Sequence, residues 1–344
     1  MLGPGSGGRG TGDLYEVVVV RHGTHTTQRS DVYLNHHLYG EPDGPHTVDY
    51  YLWVVRNERR TVIVDTGFAQ APAAARGRTV LLAPAGVYRA LGIDAGQPHQ
   101  VVLTHAHSDH IGNLGLFPHS PVLISKAELD FWKSDLATKP LIATFTEPGE
   151  LENLRTLERE GRLTTFGDST EVAPGIDVIK VGGHTPGQSM VRVATKDGVV
   201  LLTSDAVHFQ EELDRDMPFI SVTDLPGMYA GFQRVRDMVA DGEVDVVVPG
   251  HDASALDKVE PLGGPLAGNA GVIGRVAAVA DSPVETLRRW EGSGAVWRVM
   301  GQHASRVTVG LFTCDGGEEV SRITSDDPAL VAFLGGRRSS EDSA

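Results

Sequence analysis

Cysteine is nearly absent from this sequence, since Cys314 is the only one among 344 residues. A single cysteine allows no disulfide within the chain and no thiolate-rich metal site, so a bound metal would need imidazole and carboxylate ligands. Long apolar runs are also absent: the longest, such as 17–20 and 244–248, have the length of strands and are too short to cross a bilayer.

Positive charge is scarce as well. The 30 Lys and Arg residues stand against 45 Asp and Glu, which gives a formal net charge of -15. Such a surface repels phosphate backbones and anionic lipids, so we expect neither a nucleic-acid partner nor a membrane partner. The glycine-rich start, 1–13, lacks the apolar core of a signal peptide, and we expect a flexible tail and a cytoplasmic protein.

The apolar pattern predicts an α/β protein with two sheets covered by helices. Helices are predicted over 125–132, with Ser125 as N-cap, and over 225–239. Short runs rich in β-branched residues predict strands at 15–20, 50–55, 61–64, 101–104, 121–124, 176–181, 190–194, 199–203 and 244–248.

The composition predicts two domains of unequal size. A main domain over 14–258 is followed by a linker at 259–270, where glycine and proline accumulate. After it we expect a small α+β module over 271–336, with a helix, a turn, two strands and a helix after Gly316, and then a disordered polar tail, 337–344.

Four potential metal ligands follow the predicted strand 101–104 within six residues: His105, His107, Asp109 and His110. On a continuing strand the first three would share one face, whereas a strand-to-helix turn would direct Asp109 and His110 towards a second centre. Imidazole and carboxylate suit zinc or another borderline divalent ion. This density of ligand-type residues predicts a metal site. At this point the sequence is compatible with either one metal ion or two.

Further ligand-type residues follow three other predicted strands. His184 follows strand 176–181, Asp205 follows 199–203 and His251 follows 244–248. One histidine placed in this way is more often structural than metal-binding. The repetition of the same placement at separate strands favours a common metal site, with enough ligands for two ions.

With Asp65 in a Val-Asp-Thr-Gly motif and the His-x-His-x-Asp-His cluster, these residues occur in the order typical of one family. The chain from 15 to 256 resembles the metallo-β-lactamase superfamily. The resemblance implies an αββα sandwich with two ions, zinc or alternatively Mn, Fe or Co. It also implies that His105, His107 and His184 hold one ion and Asp109, His110 and His251 the other, that Asp205 bridges them, and that Asp65 orients the ligand loop.

Three segments, 113–118, 183–189 and 201–206, are most similar to the quorum-quenching N-acyl homoserine lactone lactonases. The resemblance implies that water activated between two ions opens a small-molecule lactone, and that Asp109 carries the proton to the leaving alkoxide. A glyoxalase II-like hydrolase of thioesters or acyclic esters is the alternative. A non-catalytic binding protein of the same fold is a third, which a complete ligand set disfavours.

One position departs from the lactonase pattern. Lactonases usually have a tyrosine three residues after the bridging aspartate, and here that residue is His208. An imidazole can also donate a hydrogen bond to a developing oxyanion, so we predict a catalytic role for His208; a different substrate or a plain surface histidine are the alternatives. Phe117, Phe209 and Met217 either line the substrate pocket or pack in the core.

The C-terminal module weakly resembles muconolactone isomerase, which has a ferredoxin-like fold. The resemblance spans a helix and the passage between two strands. It implies a module that forms homo-oligomers or shelters the substrate, and a role in dimerisation is the simpler of the two.

Overall fold

A computed structural model describes residues 13–275, 283–303, 306–314 and 316–342. The chain divides into two compact units, Met1–Val276 and Ala277–Ala344. The described strands of the first unit are β1 Glu16–Gln28, β2 Pro45–Arg56, β3 Thr61–Val64, β4 Thr79–Val80, β5 Gln100–Val102, β6 Val122–Ser125, β7 Leu163–Phe166, β8 Ser169–Ala173, β9 Ile176–Lys180, β10 Ser189–Thr195, β11 Gly198–Ser204, β12 Val246–Pro249, β13 Glu260–Pro261 and β14 Ala270–Ile273.

The helices of this unit lie between the strands. They are α1 Gln70–Ala75, α2 Pro84–Ala90, α3 Ser108–Ile111, α4 Lys126–Trp132, α5 Pro140–Ala143, α6 Pro148–Arg159, α7 Gln210–Arg215 and α8 Leu225–Ala240. Every predicted strand and both predicted helices are present, with ends displaced by a few residues, and β1 continues eight residues beyond its predicted end at 20.

Two sheets form the centre of the first unit. One has the order β13-β14-β1-β2-β3-β5-β6-β7, with β4 also paired to β1, and the other has the order β12-β11-β10-β9-β8. Alternate residues of β1 and β2 face opposite sides: Val17 and Trp53 pack between the sheets, whereas Val18 and Val54 pack on the outer side of the first sheet. Because both faces are covered there, segments 17–20 of β1 and 50–55 of β2 are apolar throughout.

Helices cover the outer face of each sheet. Leu129 of α4 and Leu154 of α6 join the cluster on the first sheet, and Phe232 of α8 joins the cluster on the second. Helix α8 begins where the Asp224 side chain accepts a hydrogen bond from the Gly227 amide at 3.1 Å, which is a typical N-cap. The unit is therefore an αββα sandwich, as expected.

The segment expected to be a linker, 259–270, is instead part of the first unit. It contains β13 and leads into β14, which pairs antiparallel with β1, so that Val17 faces Ile273. Strand β14 is short and apolar, and its pairing partner lies more than 240 residues earlier, so local composition could not reveal it. The main unit consequently extends beyond 258.

The second unit contains α9 Pro283–Gly292, β15 Val296–His303, β16 Arg306–Phe312, β17 Glu319–Ser325 and α10 Pro328–Leu334. A strand, β17, comes first after Gly316, and the predicted helix begins only at Pro328. The three strands form a consecutive antiparallel sheet, β15-β16-β17. A ferredoxin-like unit would need four strands with helical crossovers, so the described residues do not have that topology. Oligomerisation through this unit stays a prediction.

The C-terminal segment predicted as a disordered tail is ordered as far as it is described. The Ser340 amide donates to the Trp297 carbonyl at 3.0 Å, and Ser339 forms a bridge with Arg298 of β15. Backbone hydrogen bonds order this segment, although its polar side chains bury little apolar surface. At the other end, all but residue 13 of the predicted tail 1–13 lies outside the described residues. Among the described helices, none combines the length and the hydropathy required to cross a membrane.

Candidate metal centre

Strand direction brings three of the predicted ligands to one edge of the second sheet. Strand β10 is antiparallel to both β9 and β11, and β12 is parallel to β11, so β9, β11 and β12 run in the same direction. His184, Asp205 and His251 follow the carboxyl ends of these strands. Their proximity is therefore a consequence of topology, and all three side chains are buried.

The histidine-rich motif lies at the turn between a strand and a helix. Strand β5 ends at Val102, His105 and His107 lie in the following loop, and α3 carries Asp109 and His110. Of the two geometries considered for this motif, the structure has the strand-to-helix turn. The motif residues consequently point in two directions.

The seven predicted ligands form two buried groups. Within each group the ligand atoms lie within 4.8 Å of one another, and the groups are His105, His107, His184 and Asp205, and Asp109, His110 and His251. This grouping matches the two sets that the resemblance implies.

The Asp205 carboxylate lies between the two groups. Its Oδ1 is 3.1 Å from Nε2 of both His110 and His251. Its Oδ2 is 3.3 Å from Nε2 of His184 and 3.7 Å from Nε2 of His105. Each oxygen thus faces one group, which is the arrangement that a bridging ligand needs.

The far side of each ring determines which nitrogen faces the centre. Nδ1 of His184 donates to the Ser221 carbonyl and Nδ1 of His251 to the Asp49 carbonyl, both at 2.7 Å. Because a carbonyl only accepts, the proton must be on Nδ1, and in the neutral ring Nε2 then has its lone pair directed inward.

Asp65 orients the ring of His110 in the same way. Its Oδ2 accepts from His110 Nδ1 at 2.7 Å, and its two oxygens also accept from the amide and hydroxyl of Thr104 at 2.9 and 2.7 Å. Asp65 is fully buried, with a left-handed φ of 57°. It therefore joins the end of β3 to the ligand loop, in the orienting position that the resemblance implies.

The donor set fits divalent ions. Nε2 of His105 and of His110 is buried without a hydrogen-bond partner, which is costly unless a cation is bound. Nε2 of His184 lies 2.9 Å from Nδ1 of His107, so two ring nitrogens face each other. Burial lowers the pKa of His107 to about 4 and that of His105 and His184 well below the usual range, which favours the neutral, metal-binding ring.

A cavity opens on both ligand groups. Its lining combines ligand residues with Arg78 and with apolar side chains, among them Tyr50, Phe145 and Phe219. Burial alone would raise the pKa of Asp109, but neighbouring positive charge, above all that of Arg78, outweighs it and lowers that pKa. Asp109 is therefore ionised, as a ligand must be.

His208 is fully buried beside this centre, so it is not a surface histidine. Its Nε2 lies 3.3 Å from Asp205 Oδ2 and has no hydrogen-bond partner, while Nδ1 lies 3.2 Å from Oε2 of Glu212. The ring stacks on Phe219 with centroids 4.0 Å apart. Burial opposes protonation, yet the carboxylates of Glu212 and Asp205 raise the pKa of His208 to about 9.

Three residues near the site did not emerge from the sequence. For Glu212 the sequence contains one indication: it lies four residues after His208, a spacing that brings the two side chains together at the start of α7. For Arg78 the sequence contains no such indication, because this residue lies between the motifs. Glu128 has none either, although it is fully buried and its carboxylate accepts four hydrogen bonds.

The predicted pocket residues lie in the core. Phe117 packs against Tyr88, with ring centroids 5.0 Å apart. Phe209 and Met217 belong to a cluster with Tyr33. Of the two roles considered for these three residues, lining the pocket or packing in the core, the structure shows packing in the core.

Comparison with known proteins agrees with this geometry. The family model of the metallo-beta-lactamase superfamily matches residues 48–251. The chain is 31% identical over 154 residues to an N-acyl homoserine lactonase of Bacillus sp, a match that covers 44% of this chain and 55% of the relative. It is 32% identical over 200 residues to human metallo-beta-lactamase domain-containing protein 1, covering 56% and 58%. The chain thus spans little more than half the length of these relatives.

Solved structures show the same fold. A quorum-quenching N-acyl homoserine lactone lactonase has a TM-score of 0.60 at 18% identity, covering 71% of this chain and 95% of that one. An N-acyl homoserine lactone hydrolase with N-hexanoyl-L-homoserine bound at its catalytic metal centre has a TM-score of 0.59 at 17% identity, covering 72% and 96%. The family match spans more than half of the chain and includes every predicted ligand, and on this evidence the protein belongs to the metallo-β-lactamase superfamily.

Proposed function

We propose that this protein is a dinuclear zinc-dependent hydrolase that opens the ring of a small-molecule lactone. The observation that carries the proposal is the pair of buried ligand groups on either side of Asp205, open to one cavity. The similarity to N-acyl homoserine lactonases supports a cyclic ester as the substrate.

In the proposed site His105, His107 and His184 would hold one zinc ion and Asp109, His110 and His251 would hold the other, with the Asp205 carboxylate between the two groups. Two bound zinc ions would polarise the ester carbonyl and lower the pKa of water towards 7. The chain itself contributes the orientation of the donors, since the carbonyls of Ser221 and Asp49 fix the rings of His184 and His251.

Two residues have proposed catalytic roles. Asp109 faces the cavity and would hold the proton that the leaving alkoxide receives when the ring opens. His208 would donate from Nε2 to the oxyanion that develops on the substrate carbonyl as the protonated ring, whose other N–H, on Nδ1, is held by Glu212. Neither role requires a nucleophilic serine or cysteine.

Metal analysis and a substrate panel test this function. Protein purified with zinc available should hold two ions per chain, and fewer than one would contradict the dinuclear centre. The panel contains homoserine lactones, simple γ- and δ-lactones and acyl thioesters, with hydrolysis followed by proton release. Turnover of lactones is expected; turnover of thioesters alone would replace this proposal with the glyoxalase II-like alternative.

A further inference from the structure

Arg78 introduces a positive charge into the cavity beside the ligand groups. It directly precedes β4, and its side chain is only 16% exposed. The guanidinium lies over the ring of Tyr50, with its central carbon 4.6 Å from the ring centroid, and lines the cavity together with Asp109 and His251. The residue is thus directed towards the place where a substrate would lie.

The buried guanidinium is incompletely paired. Its Nη1 is buried without a hydrogen-bond partner, and the charge nearest to it is Oδ2 of Asp109 at 3.5 Å, beyond good hydrogen-bond geometry. A guanidinium has five N–H donors, and burying them is costly unless acceptors are present. A further acceptor from a ligand would remove this cost.

The balance of charge in the cavity favours an anion as that acceptor. Asp109 and Asp205 are the carboxylates that line the cavity, and in the proposed site both face the zinc ions. Two divalent ions exceed the charge of these two carboxylates, and Arg78 adds a further positive charge. The carboxylate of Asp65 behind His110 offsets one charge, and an excess of positive charge remains. Glu212, the buried carboxylate beside His208, does not line the cavity and has His208 as its partner.

We propose that Arg78 binds a carboxylate of the substrate, so that the preferred substrate is a lactone with an acidic substituent near the ester. A guanidinium matches a carboxylate in a two-pronged, charge-assisted contact. The apolar side chains of Phe145 and Phe219 would contact the remainder of the substrate. This inference rests on the proposed function and adds the charge of the substrate. The preferred lactone would be negatively charged, whereas an acyl homoserine lactone is uncharged.

The test compares two substrates that differ by one carboxylate group, γ-butyrolactone and its γ-carboxylate, on the zinc-loaded protein. The native protein should have the higher kcat/KM for the carboxylate. Arg78→Met should raise KM for the carboxylate by about 10- to 100-fold and change KM for γ-butyrolactone less than about 3-fold. Arg78→Lys should recover part of the loss, because it keeps the charge without the two-pronged geometry.

A matched control removes an arginine far from the cavity. Arg192 pairs with Asp177 on the second sheet at 2.7 Å and does not line the cavity, so Arg192→Met should leave both KM values unchanged. Zinc content is measured for every variant. Loss of zinc in Arg78→Met would show that Arg78 only supports Asp109, and an equal loss for both lactones would show a general catalytic effect; either result overturns the inference.

A binding measurement separates this inference from the proposed function. Calorimetry compares 2-hydroxyglutarate, the ring-opened form of the charged lactone, with 4-hydroxybutyrate, that of the uncharged one. We expect 2-hydroxyglutarate to bind more tightly to the native protein, and this preference to disappear in Arg78→Met. If neither lactone is hydrolysed but the preference depends on Arg78, the lactonase proposal fails and anion binding stands. Equal binding of the two acids would overturn the inference.

Discussion

His208 illustrates how a single ring is oriented in this site. Glu212 accepts from the amides of His208, Phe209 at 3.1 Å and Phe219 at 2.7 Å, and lies beside Nδ1 of His208. This buried carboxylate therefore fixes both the backbone and the ring of His208. The nitrogen that remains, Nε2, faces Oδ2 of Asp205 at 3.3 Å.

We predict that His208→Phe lowers kcat by about 10- to 10³-fold, because the oxyanion loses a donor, while zinc content is unchanged. Glu212→Gln should produce a smaller loss of kcat, since the ring would be held less firmly. Steady-state kinetics and metal analysis check both variants. His208→Tyr is the rescue variant, because a phenol hydroxyl is also a donor; full activity in His208→Phe would contradict the catalytic role.

At the scale of elements, Glu128 of α4 connects two ligand loops. Its Oε1 accepts from the amide of Ala106 at 2.9 Å, between His105 and His107, and its Oε2 accepts from the hydroxyl of Thr185 at 2.6 Å and from the amide of Gly187 at 3.0 Å. A Cβ on Gly187 would lie 2.3 Å from the backbone nitrogen of Glu128, so the approach requires glycine. The spacing of the first ligand group thus depends on this contact.

Glu128→Gln should lower the free energy of unfolding by about 1–3 kcal/mol, because an amide group would face N–H and O–H donors that now have an acceptor. The affinity for zinc should fall about 10- to 100-fold, as is typical when a group that orients metal ligands is lost. Thermal unfolding and chelator competition measure the two effects. Asp130→Asn, an exposed position on the same helix, is the control; native zinc affinity in Glu128→Gln would contradict the role.

Helix α6 contains a group that makes stability depend on pH. Both carboxylate oxygens of Glu150 are buried without hydrogen-bond partners, and burial, with the nearby charge of Glu147, raises the pKa of Glu150 to about 7. The folded state therefore binds this proton more tightly than the unfolded state does. Its contribution to stability is present at low pH and is lost as pH rises from about 4.5 to 7.

We predict that Glu150→Gln stabilises the protein by about 1–3 kcal/mol at pH 8, because it removes a buried charge, and has much less effect at pH 5. Denaturant unfolding at the two pH values measures the difference. Glu152→Gln changes an exposed carboxylate of the same helix and should show no such pH dependence between these values. An equal effect of Glu150→Gln at both pH values would contradict the prediction.

At the scale of the whole molecule, the proposed ions would join the two sheets of the first unit. His105 and His107 follow β5 of the first sheet, and His184 follows β9 of the second. A ligand that binds only the folded state stabilises it in proportion to the logarithm of its concentration over Kd. The free energy of metal binding should therefore appear as stability of the fold.

Removal of metal with a chelator should lower the Tm of the protein by more than about 5 °C, and added zinc should restore it. Differential scanning calorimetry, with metal content measured in parallel, checks this expectation. Magnesium, which prefers oxygen ligands, should not restore the Tm. An unchanged Tm in protein shown to have lost its metal would indicate that the ligand groups contribute no stability when loaded.

The sequence alone indicated two sheets covered by helices, the strands and the seven candidate ligands, because these depend on local periodicity and on the density of histidine and aspartate after strands. The resemblance to a known family added the αββα class. The resemblance also implied which ligands share a group, and the tertiary structure gives the physical reason, since strand direction brings the ligands to one edge. Only the tertiary structure decided that β14 completes the first sheet and that Arg78, Glu128 and Glu212 lie at the centre. Such contacts join segments far apart in the chain or outside any motif, and no local pattern encodes them.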